Sequence, residues 1–390
     1  MGQQPEIVLY QRPIEAFAAV GLMGPGKPIE HKHSLAPARI PLHPLRTGRA
    51  FLESWRLREL PVQGMWHRPH YDSYAPPLFV INRPLIHSSA GIVAVGDQAI
   101  AETLSHTEPA KHGFRNLMRA IAIPRRTPRR LPGTYISLLA GGEGNYYHSV
   151  LLGLARLASV PENYQAAAAG LLVPEGAANQ REVLALMDLM PSLSIVEVGH
   201  DETLHVDTLI LPLSICGDTI YHPCVLDFYR GISTNVSPPR TRMPTHIYLD
   251  RRETRLRPLV NENAIVTELM RLGIEPVRPE SMSVADQVRL FRGAELIVAP
   301  HGAALTNLGF CRPGTQVVEL LMDAYTNWCF RHLAALAGLN YDCVLGRARS
   351  AWGELVPSFH ATPWEISTTH VAAAVAQYTQ PTRTLAAAAA

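Results

Sequence analysis

The 390-residue chain has very few lysines, and its basic and acidic residues nearly balance. Lys27, Lys32 and Lys111 are its only lysines, so almost all of its positive charge is arginine. The net charge of +2 gives no overall basic field, which argues against nucleic acid as a partner. Arginine binds carboxylates and phosphates through a planar fork, but a GC-rich genome would produce the same bias without a chemical reason.

Cysteine pairs, a secretory signal and long apolar runs are also missing. The five scattered cysteines form no CxxC pair and have no metal-ligand spacing, which predicts buried thiols in a reducing compartment. The first residues lack the basic segment and apolar core of a secretory signal, and no run approaches the roughly 18 apolar residues of a membrane span. We therefore expect a cytoplasmic protein without a transmembrane segment, and peripheral contact with the inner face of the membrane stays open.

Residues for a sizeable core are present. Apolar residues make up 47% of the chain and charged residues 17%, which excludes wholesale disorder. A chain of this length suggests two domains, at roughly 150 residues each, or one large domain.

Histidines are frequent in the proline-rich residues 1–75, which we expect to be irregular with short strands. His31 and His33, or His67, His70 and Asp72, could be drawn as a metal cluster. These side chains lie among prolines, however, and no closing ligand pair follows them. We therefore expect no metal ion.

Predicted strands alternate with predicted helices from residue 77 onward, which is typical of an α/β domain with a mostly parallel sheet. In the first series we expect strands at 77–82, 91–100, 134–141, 171–174, 194–199 and 205–212, and helices at 145–160 and 181–190. SPPRTRMP, residues 237–244, breaks this pattern and is the best linker. In the second series we expect strands at 245–251, 274–279, 295–300, 315–321 and 340–346, and helices at 261–273, 283–294, 301–310 and 327–339.

The two series define the predicted domains. An N-terminal domain covers 1–240, a Rossmann-like C-terminal domain covers 245–365, and a last helix at 369–378 precedes a terminal run of alanines within 366–390. In open α/β sheets ligands bind beyond the carboxyl ends of the strands, so we expect the chemistry at those ends.

The segment ELIVAPHGAALTNLGFCRPGTQVVELL combines a buried strand, small residues and a helix start. Residues 302–304 let a ligand approach the backbone, and the N–H groups at the helix start suit an anion. Thr306 and Asn307 add hydrogen-bonding groups, and Glu319 ends the next strand, where an acid could hold a ribose diol. A plain strand–turn–helix capped by His301 is the alternative.

The segment YLDRRETRLRPLVNE places four arginines at one strand end. Arg251, Arg252, Arg255 and Arg257 form a local positive site in a chain of balanced charge. Charge-assisted forks to phosphate are strong and oriented, so these side chains could clamp a diphosphate. A solvated turn is the alternative.

The segment GGEGNYYHSVLLGLARL is a glycine-rich turn that leads into a helix. It has no lysine, so it is not a Walker loop. His148, in the first turn of the helix, could act as a general base near neutral pH. A structural histidine is the alternative.

Taken together and in this order, these segments resemble glycosyltransferase family 61, which includes bacterial capsular polysaccharide biosynthesis proteins. The resemblance covers roughly residues 134–345 and is densest over 246–321, where SVADQVRLFRGAELIVAPHGAALTNLGFCRPGTQVVEL is the most specific block. It implies a GT-B architecture, in which two Rossmann-like domains face each other across a cleft and the C-terminal one holds a nucleotide-sugar. It also implies inverting transfer, usually from a UDP-sugar, to a glycan or lipid-linked acceptor, without an obligatory metal or other cofactor.

The resemblance assigns donor-binding roles residue by residue. Arg251, Arg252 and Arg257 resemble contacts to the donor diphosphate, and His301, Gly302 and Ala303 resemble a pyrophosphate loop. The remaining matched positions are Asn261, Gln287, Thr306, Asn307 and Glu319.

The first domain departs from the family pattern at its helix start. Many bacterial relatives have N-Y-x-H-W-L-x-D there, whereas this chain has Ser149 in place of Trp and Leu152 in place of Asp. If that Asp is the base in relatives, His148 and Glu143 are the nearest substitutes. We expect an inverting transferase. The alternatives are a nucleotide-sugar epimerase of the same fold and a non-catalytic binding subunit of a polysaccharide assembly.

Overall fold

The computed structural model describes residues 6–12, 14–19, 21–45, 66, 68–73, 75–104, 120–124, 127–142, 144–177, 179–187, 189, 192–216, 219–349 and 362–379. The chain divides into two compact units. Unit 1 comprises 1–39 and 72–236, and unit 2 comprises 40–71 and 237–390. The sequence pattern assigned 40–71 to the N-terminal domain, whereas in the structure Arg331 of unit 2 donates hydrogen bonds to the carbonyl oxygens of Trp66 and His43.

The described secondary structure is numbered in chain order. The strands are β1 (Glu6–Arg12), β2 (Ile29–Ser34), β3 (Arg39–Pro41), β4 (His70–Asp72), β5 (Pro77–Asn82), β6 (Leu85–His87), β7 (Ile92–Val95), β8 (Gln98–Ile100), β9 (Ala120–Pro124), β10 (Arg129–Ser137), β11 (Gly170–Pro174), β12 (Ser194–Val198), β13 (Thr203–Pro212), β14 (His246–Leu249), β15 (Glu275–Val277), β16 (Leu296–Pro300), β17 (Gln316–Met322), β18 (Asn340–Ala348) and β19 (Trp364–Glu365). The α-helices are α1 (Glu162–Ala167), α2 (Gln180–Leu186), α3 (Val225–Thr234), α4 (Glu262–Arg271), α5 (Val284–Gly293), α6 (Cys329–Leu336) and α7 (Thr368–Thr379). Single-turn and irregular helices are 3-10 helices at Ile14–Phe17, Ala101–Leu104, Leu154–Ser159, Pro279–Ser281 and Ala303–Phe310, and a π-helix at His148–Gly153.

Unit 1 contains a mixed sheet. Its strands β12, β11, β10 and β13 lie side by side in that order and are parallel, as the alternation of strands and helices predicts. Beyond β13 the pairing with β5 and β6 is antiparallel, and the sheet continues through β7, β8, β1 and β9. The prediction of a mostly parallel sheet is therefore confirmed for the second half of unit 1 and is wrong for the first half, where short connections join neighbouring strands into hairpins.

Unit 2 contains a sheet in the order β15-β14-β16-β17-β18-β19, in which the first five strands are parallel. Counted from β14 as the first strand, this is the doubly wound order 2-1-3-4-5, and the order reverses between β14 and β16. The helices α4 and α7 cover one face, where Ile265, Leu269 and Val375 pack on the sheet. The α/β class predicted from the sequence is confirmed.

The predicted helix at 145–160 differs from the observed one. The structure has a π-helix, His148–Gly153, that passes directly into a 3-10 helix, Leu154–Ser159. Residues 149–157 are all buried, so no single apolar face imposes the usual 3.6-residue period. Within the described part of the chain, no helix is long and apolar enough to cross a membrane.

Candidate functional site

A small cavity of about 10 Å³, room for about one water molecule, lies at the carboxyl ends of the unit 2 strands. Arg251 follows β14 and His301 follows β16, so both lie at the point where the strand order reverses. Doubly wound sheets bind ligands at this point, because the loops from neighbouring strands part there. The residues that line the cavity are Arg251, Arg257, His301, Met322, Tyr325 and Trp364.

Arg251 is held mainly by backbone atoms of neighbouring loops. Its Nη1 donates to the carbonyl oxygen of His301, and its Nη2 donates to that of Leu256 at 3.2 Å. Its main-chain N–H donates to Oε1 of the buried Glu262 at 2.7 Å. Gly302 makes this arrangement possible, since a Cβ added there would lie 2.9 Å from Cζ of Arg251.

Arg251 and Arg257 are like charges close enough to affect each other. Burial and, to a smaller extent, the positive charge of Arg257 together lower the pKa of Arg251 to about 10. Burial also lowers the pKa of Arg257, whose Cζ lies 4.9 Å from the ring centroid of Tyr325. No carboxylate is among the described residues that line the cavity, so its charge is suited to an anion.

His301 is oriented by a buried carboxylate. Its Nδ1 lies 2.6 Å from Oε1 of Glu319, and the hydroxyl of Tyr341 donates to Oε2 of the same carboxylate at 2.5 Å. Glu319 is 0% exposed in the middle of β17, a strand whose residues are all buried, so it requires these partners. Burial raises the pKa of Tyr341, and its phenol therefore stays a donor. With Nδ1 engaged, Nε2 is the ring nitrogen left for a ligand.

Several side chains around the turn that follows His301 are buried and hydrogen-bonded. Asn307 donates from Nδ2 to Oε1 of Gln287 at 2.7 Å, and Gln287 donates from Nε2 to the carbonyl oxygen of Met282 at 3.2 Å. Thr306 and Asn307 are fully buried in the 3-10 helix that begins at Ala303. Their direct contact with a donor stays a prediction.

Two further predicted donor contacts are engaged elsewhere in unit 2. Arg252 forms a forked ion pair with Asp250, with Nη2 to Oδ2 at 2.7 Å and Nε to Oδ1 at 3.0 Å. Asn261 donates from Nδ2 to the carbonyl oxygen of Ile366 at 2.7 Å and accepts from Ile366 N at 3.3 Å. Neither side chain lines the cavity.

In unit 1, His148 begins the π-helix that follows the carboxyl end of β10. Its imidazole packs over Gly142, where an added Cβ would lie 2.9 Å from Cγ of His148. The neighbouring Tyr147 shares a hydrogen bond with the hydroxyl of Tyr221 at 2.9 Å. Glu143, the other candidate base, lies outside the described residues. Leu152, which stands where many relatives have Asp, is buried with its apolar neighbours on the same helix.

Three residues that line the cavity were not predicted. Met322 and Tyr325 lie at the end of β17 and just after it, so the expectation that ligands bind beyond strand ends could have found them. Trp364 could not have been found this way, because it reaches the cavity from a strand more than 40 residues further along the chain.

The structure also describes some of the histidines that could be drawn as a metal cluster, and it describes the cysteines. His31 shares a hydrogen bond with Oγ of Ser34 at 2.8 Å, and His67 lies outside the described residues. Among the residues that the structure describes, no three His, Cys, Asp or Glu side chains come together to hold a metal ion. All five cysteines are buried free thiols, as predicted, and burial raises the pKa of Cys224 to about 12.

The fold and the site define an α/β protein with a cation-lined cavity at the switch point of a doubly wound sheet. Residues 146–318 match the family model described as Glycosyltransferase 61. This match supports glycosyltransferase family 61 and indicates that the protein is a glycosyltransferase. No curated protein matches the chain. The matched range contains Arg251, Arg257 and His301 and ends before Glu319, Tyr341 and Trp364.

Proposed function

We propose that the protein is an inverting glycosyltransferase that moves a sugar from a nucleotide diphosphate sugar, a UDP-sugar in the first instance, to a hydroxyl of a glycan or lipid-linked acceptor. The single observation that carries the proposal is the cavity that Arg251, Arg257 and His301 share without a carboxylate. Bringing a diphosphate between Arg251 and Arg257 would relieve the repulsion that lowers the pKa of Arg251.

The chemistry needs positive charge at the leaving group. The acceptor oxygen attacks the anomeric carbon while the bond from that carbon to the diphosphate oxygen breaks, and negative charge grows on the diphosphate. Fixed donors aimed at that charge stabilise the transition state, since they need no reorganisation during the reaction. Arg251 and Arg257 would supply the charge, and Nε2 of His301 would supply a hydrogen bond.

The acceptor must also lose a proton. We propose His148 of unit 1 as the base, with Glu143 as its rival. A neutral imidazole accepts a proton near physiological pH, and the half-buried His148 begins the helix that follows the parallel strand β10. The donor would then be held by unit 2 and the acceptor by unit 1.

Binding of UDP to the purified full chain tests the donor site. We expect Arg257→Ala and Arg251→Ala to weaken binding by about 1–3 kcal/mol each, the usual cost of a lost charged hydrogen bond. Arg271→Ala is the matched control, because this exposed arginine on α4 is paired with Glu268 and does not line the cavity. Isothermal titration calorimetry measures the UDP affinity of the wild type and the three variants. Equal affinity in the wild type and Arg257→Ala would contradict the proposal.

A second experiment tests the absence of a metal requirement. If the arginines neutralise the leaving group, release of UDP from the donor should continue in excess EDTA. Complete loss of turnover with EDTA, restored by Mg²⁺ or Mn²⁺, would exclude the metal-independent mechanism. If the free donor were converted to its epimer without loss of total donor, as measured by chromatography, epimerisation and not transfer would be the reaction.

A further inference from the structure

Arg257 has a backbone conformation that side-chain-bearing residues seldom adopt. Its φ is +50°, in the left-handed region, where Cβ crowds the following carbonyl oxygen. Non-glycine residues keep such a conformation where the surrounding structure fixes it, and these positions are concentrated at functional sites.

Trp364 makes three main-chain hydrogen bonds to the loop that begins at Arg257. Its indole Nε1 donates to the carbonyl oxygen of Arg257 at 2.9 Å, and its main-chain N donates to that of Pro258 at 3.0 Å. The carbonyl oxygen of Trp364 in turn accepts from Val260 N at 2.8 Å. Three hydrogen bonds thus attach residues 257–260 to Trp364, which is 3% exposed and also lines the cavity.

Trp364 is itself fixed on both sides. Its strand β19 pairs antiparallel with β18, where Ala348 is its partner. The indole packs against Gly346, at which an added Cβ would lie 2.7 Å from Cε3 of Trp364. The side chain of Asn261 holds Ile366, two residues further on, through two hydrogen bonds. The strand β19 is therefore held by several contacts next to the loop that carries Arg257.

We propose that Trp364 is a positioning residue that orients the guanidinium of Arg257 toward the diphosphate of the donor. The inference rests on the proposed function and extends it to a residue outside the range that matches the family model. Trp364 acts through the backbone of Arg257, because its indole N–H contacts the carbonyl oxygen of that residue rather than its side chain.

Trp364→Phe tests the inference, because it keeps an aromatic ring and the main-chain hydrogen bonds while it removes the indole N–H. We expect UDP affinity to fall about five- to tenfold, as for one lost hydrogen bond. Trp328→Phe is the matched control. The Nε1 of this half-buried indole has no hydrogen-bond partner among the described residues, so its removal should leave UDP affinity unchanged.

A double variant separates positioning from a general structural role. If Trp364 acts through Arg257, Arg257→Ala/Trp364→Phe should bind UDP as weakly as Arg257→Ala alone. Additive losses, or a lower melting temperature of Trp364→Phe with unchanged UDP affinity, would overturn the inference and leave the donor site standing. Wild-type affinity in Arg257→Ala would overturn the donor site as well, so the two failures are distinguishable.

Discussion

Arg251 and His301 meet across the switch point of the unit 2 sheet, where Nη1 of Arg251 donates to the main-chain carbonyl oxygen of His301. The two residues are 50 positions apart in the chain and follow different strands. Gly302 lets the guanidinium approach, since its missing side chain leaves the space that Arg251 occupies. The position of the cation in the cavity therefore depends on a glycine that need not contact the ligand.

Gly302→Ala should weaken UDP binding by about tenfold, as for the loss of about one charged hydrogen bond. The φ of Gly302 is 179°, an extended conformation open to any residue, so the expected effect comes from the displaced guanidinium and not from the backbone. Calorimetric titration with UDP measures it.

Gly293→Ala is the control for this variant. It adds the same methyl group at the end of α5, where nothing lies within 4 Å of the new Cβ. Alanine favours helix more than glycine by up to about 1 kcal/mol, so stability should hold or rise and UDP affinity should not change. Equal UDP affinity in Gly302→Ala and Gly293→Ala would contradict the role assigned to Gly302.

His148→Ala should lower turnover by about 10²-fold or more, the range for a lost general base, while UDP affinity stays within a few-fold. His200→Ala, an exposed position in unit 1, is the control. The measurement is the initial rate of UDP release at saturating acceptor. Near-normal turnover would make His148 structural, and Glu143→Gln would be the next variant to measure.

Gln287 and Asn307 should contribute to stability through their buried hydrogen bond. Gln287→Leu removes the acceptor of the Asn307 amide, which should lower the free energy of unfolding by about 1–3 kcal/mol. Gln287→Leu/Asn307→Leu should lose less than the sum of the two single variants, because neither partner is then left alone. Urea denaturation gives these values. A loss of UDP affinity without a loss of stability would indicate a direct donor contact instead.

His87 should make unit 1 sensitive to acid. Burial lowers the pKa of His87 from 6.5 to about 4, so the unfolded chain takes up a proton at a higher pH than the folded chain. Stability due to the neutral imidazole is therefore complete above pH 6.5 and falls as the pH drops toward 4. At about 1.4 kcal/mol per pH unit, the loss is about 3 kcal/mol.

His87→Leu removes this titration and should flatten the fall in unfolding free energy between pH 6.5 and 4. His370→Gln, which replaces an exposed imidazole on α7, should keep the wild-type slope. Denaturant melts across the pH range provide the comparison. The same slope in His87→Leu and the wild type would contradict the assignment.

The sequence predicts the strands of unit 2 well, because buried parallel strands have continuous apolar runs bounded by turn residues. It also places Arg251 and His301 after two strands of a parallel sheet, whose carboxyl ends share one edge. The partners of Arg252 and Asn261 were not predicted. Local geometry directs Arg252 to Asp250, and Asn261 contacts a segment more than 100 residues away, which no pattern along the chain encodes.

The hydrogen-bond partners of Glu319 were not predicted from the sequence either. From the sequence, we expect Glu319 to end its strand, where its carboxylate could hold a ribose diol. In the structure both carboxylate oxygens accept hydrogen bonds, from His301 and Tyr341, and the side chain has no exposed surface. The apolar residues along β17 predict that the strand is interior, but they do not predict which side chains hydrogen-bond to Glu319.

The discontinuity of unit 2 has a consequence for the order of folding on the ribosome. The hydrogen bonds from Arg331 to Trp66 and His43 join residues 265 and 288 positions apart. Residues 40–71 therefore emerge long before their partners are synthesised, and contacts of such high sequence separation form slowly. A fragment that starts at residue 237 would lack the carbonyl oxygens that accept from Arg331. Burial lowers the pKa of this guanidinium, so it depends on such partners. An autonomous version of this unit would need residues 40–71 supplied in trans or by circular permutation.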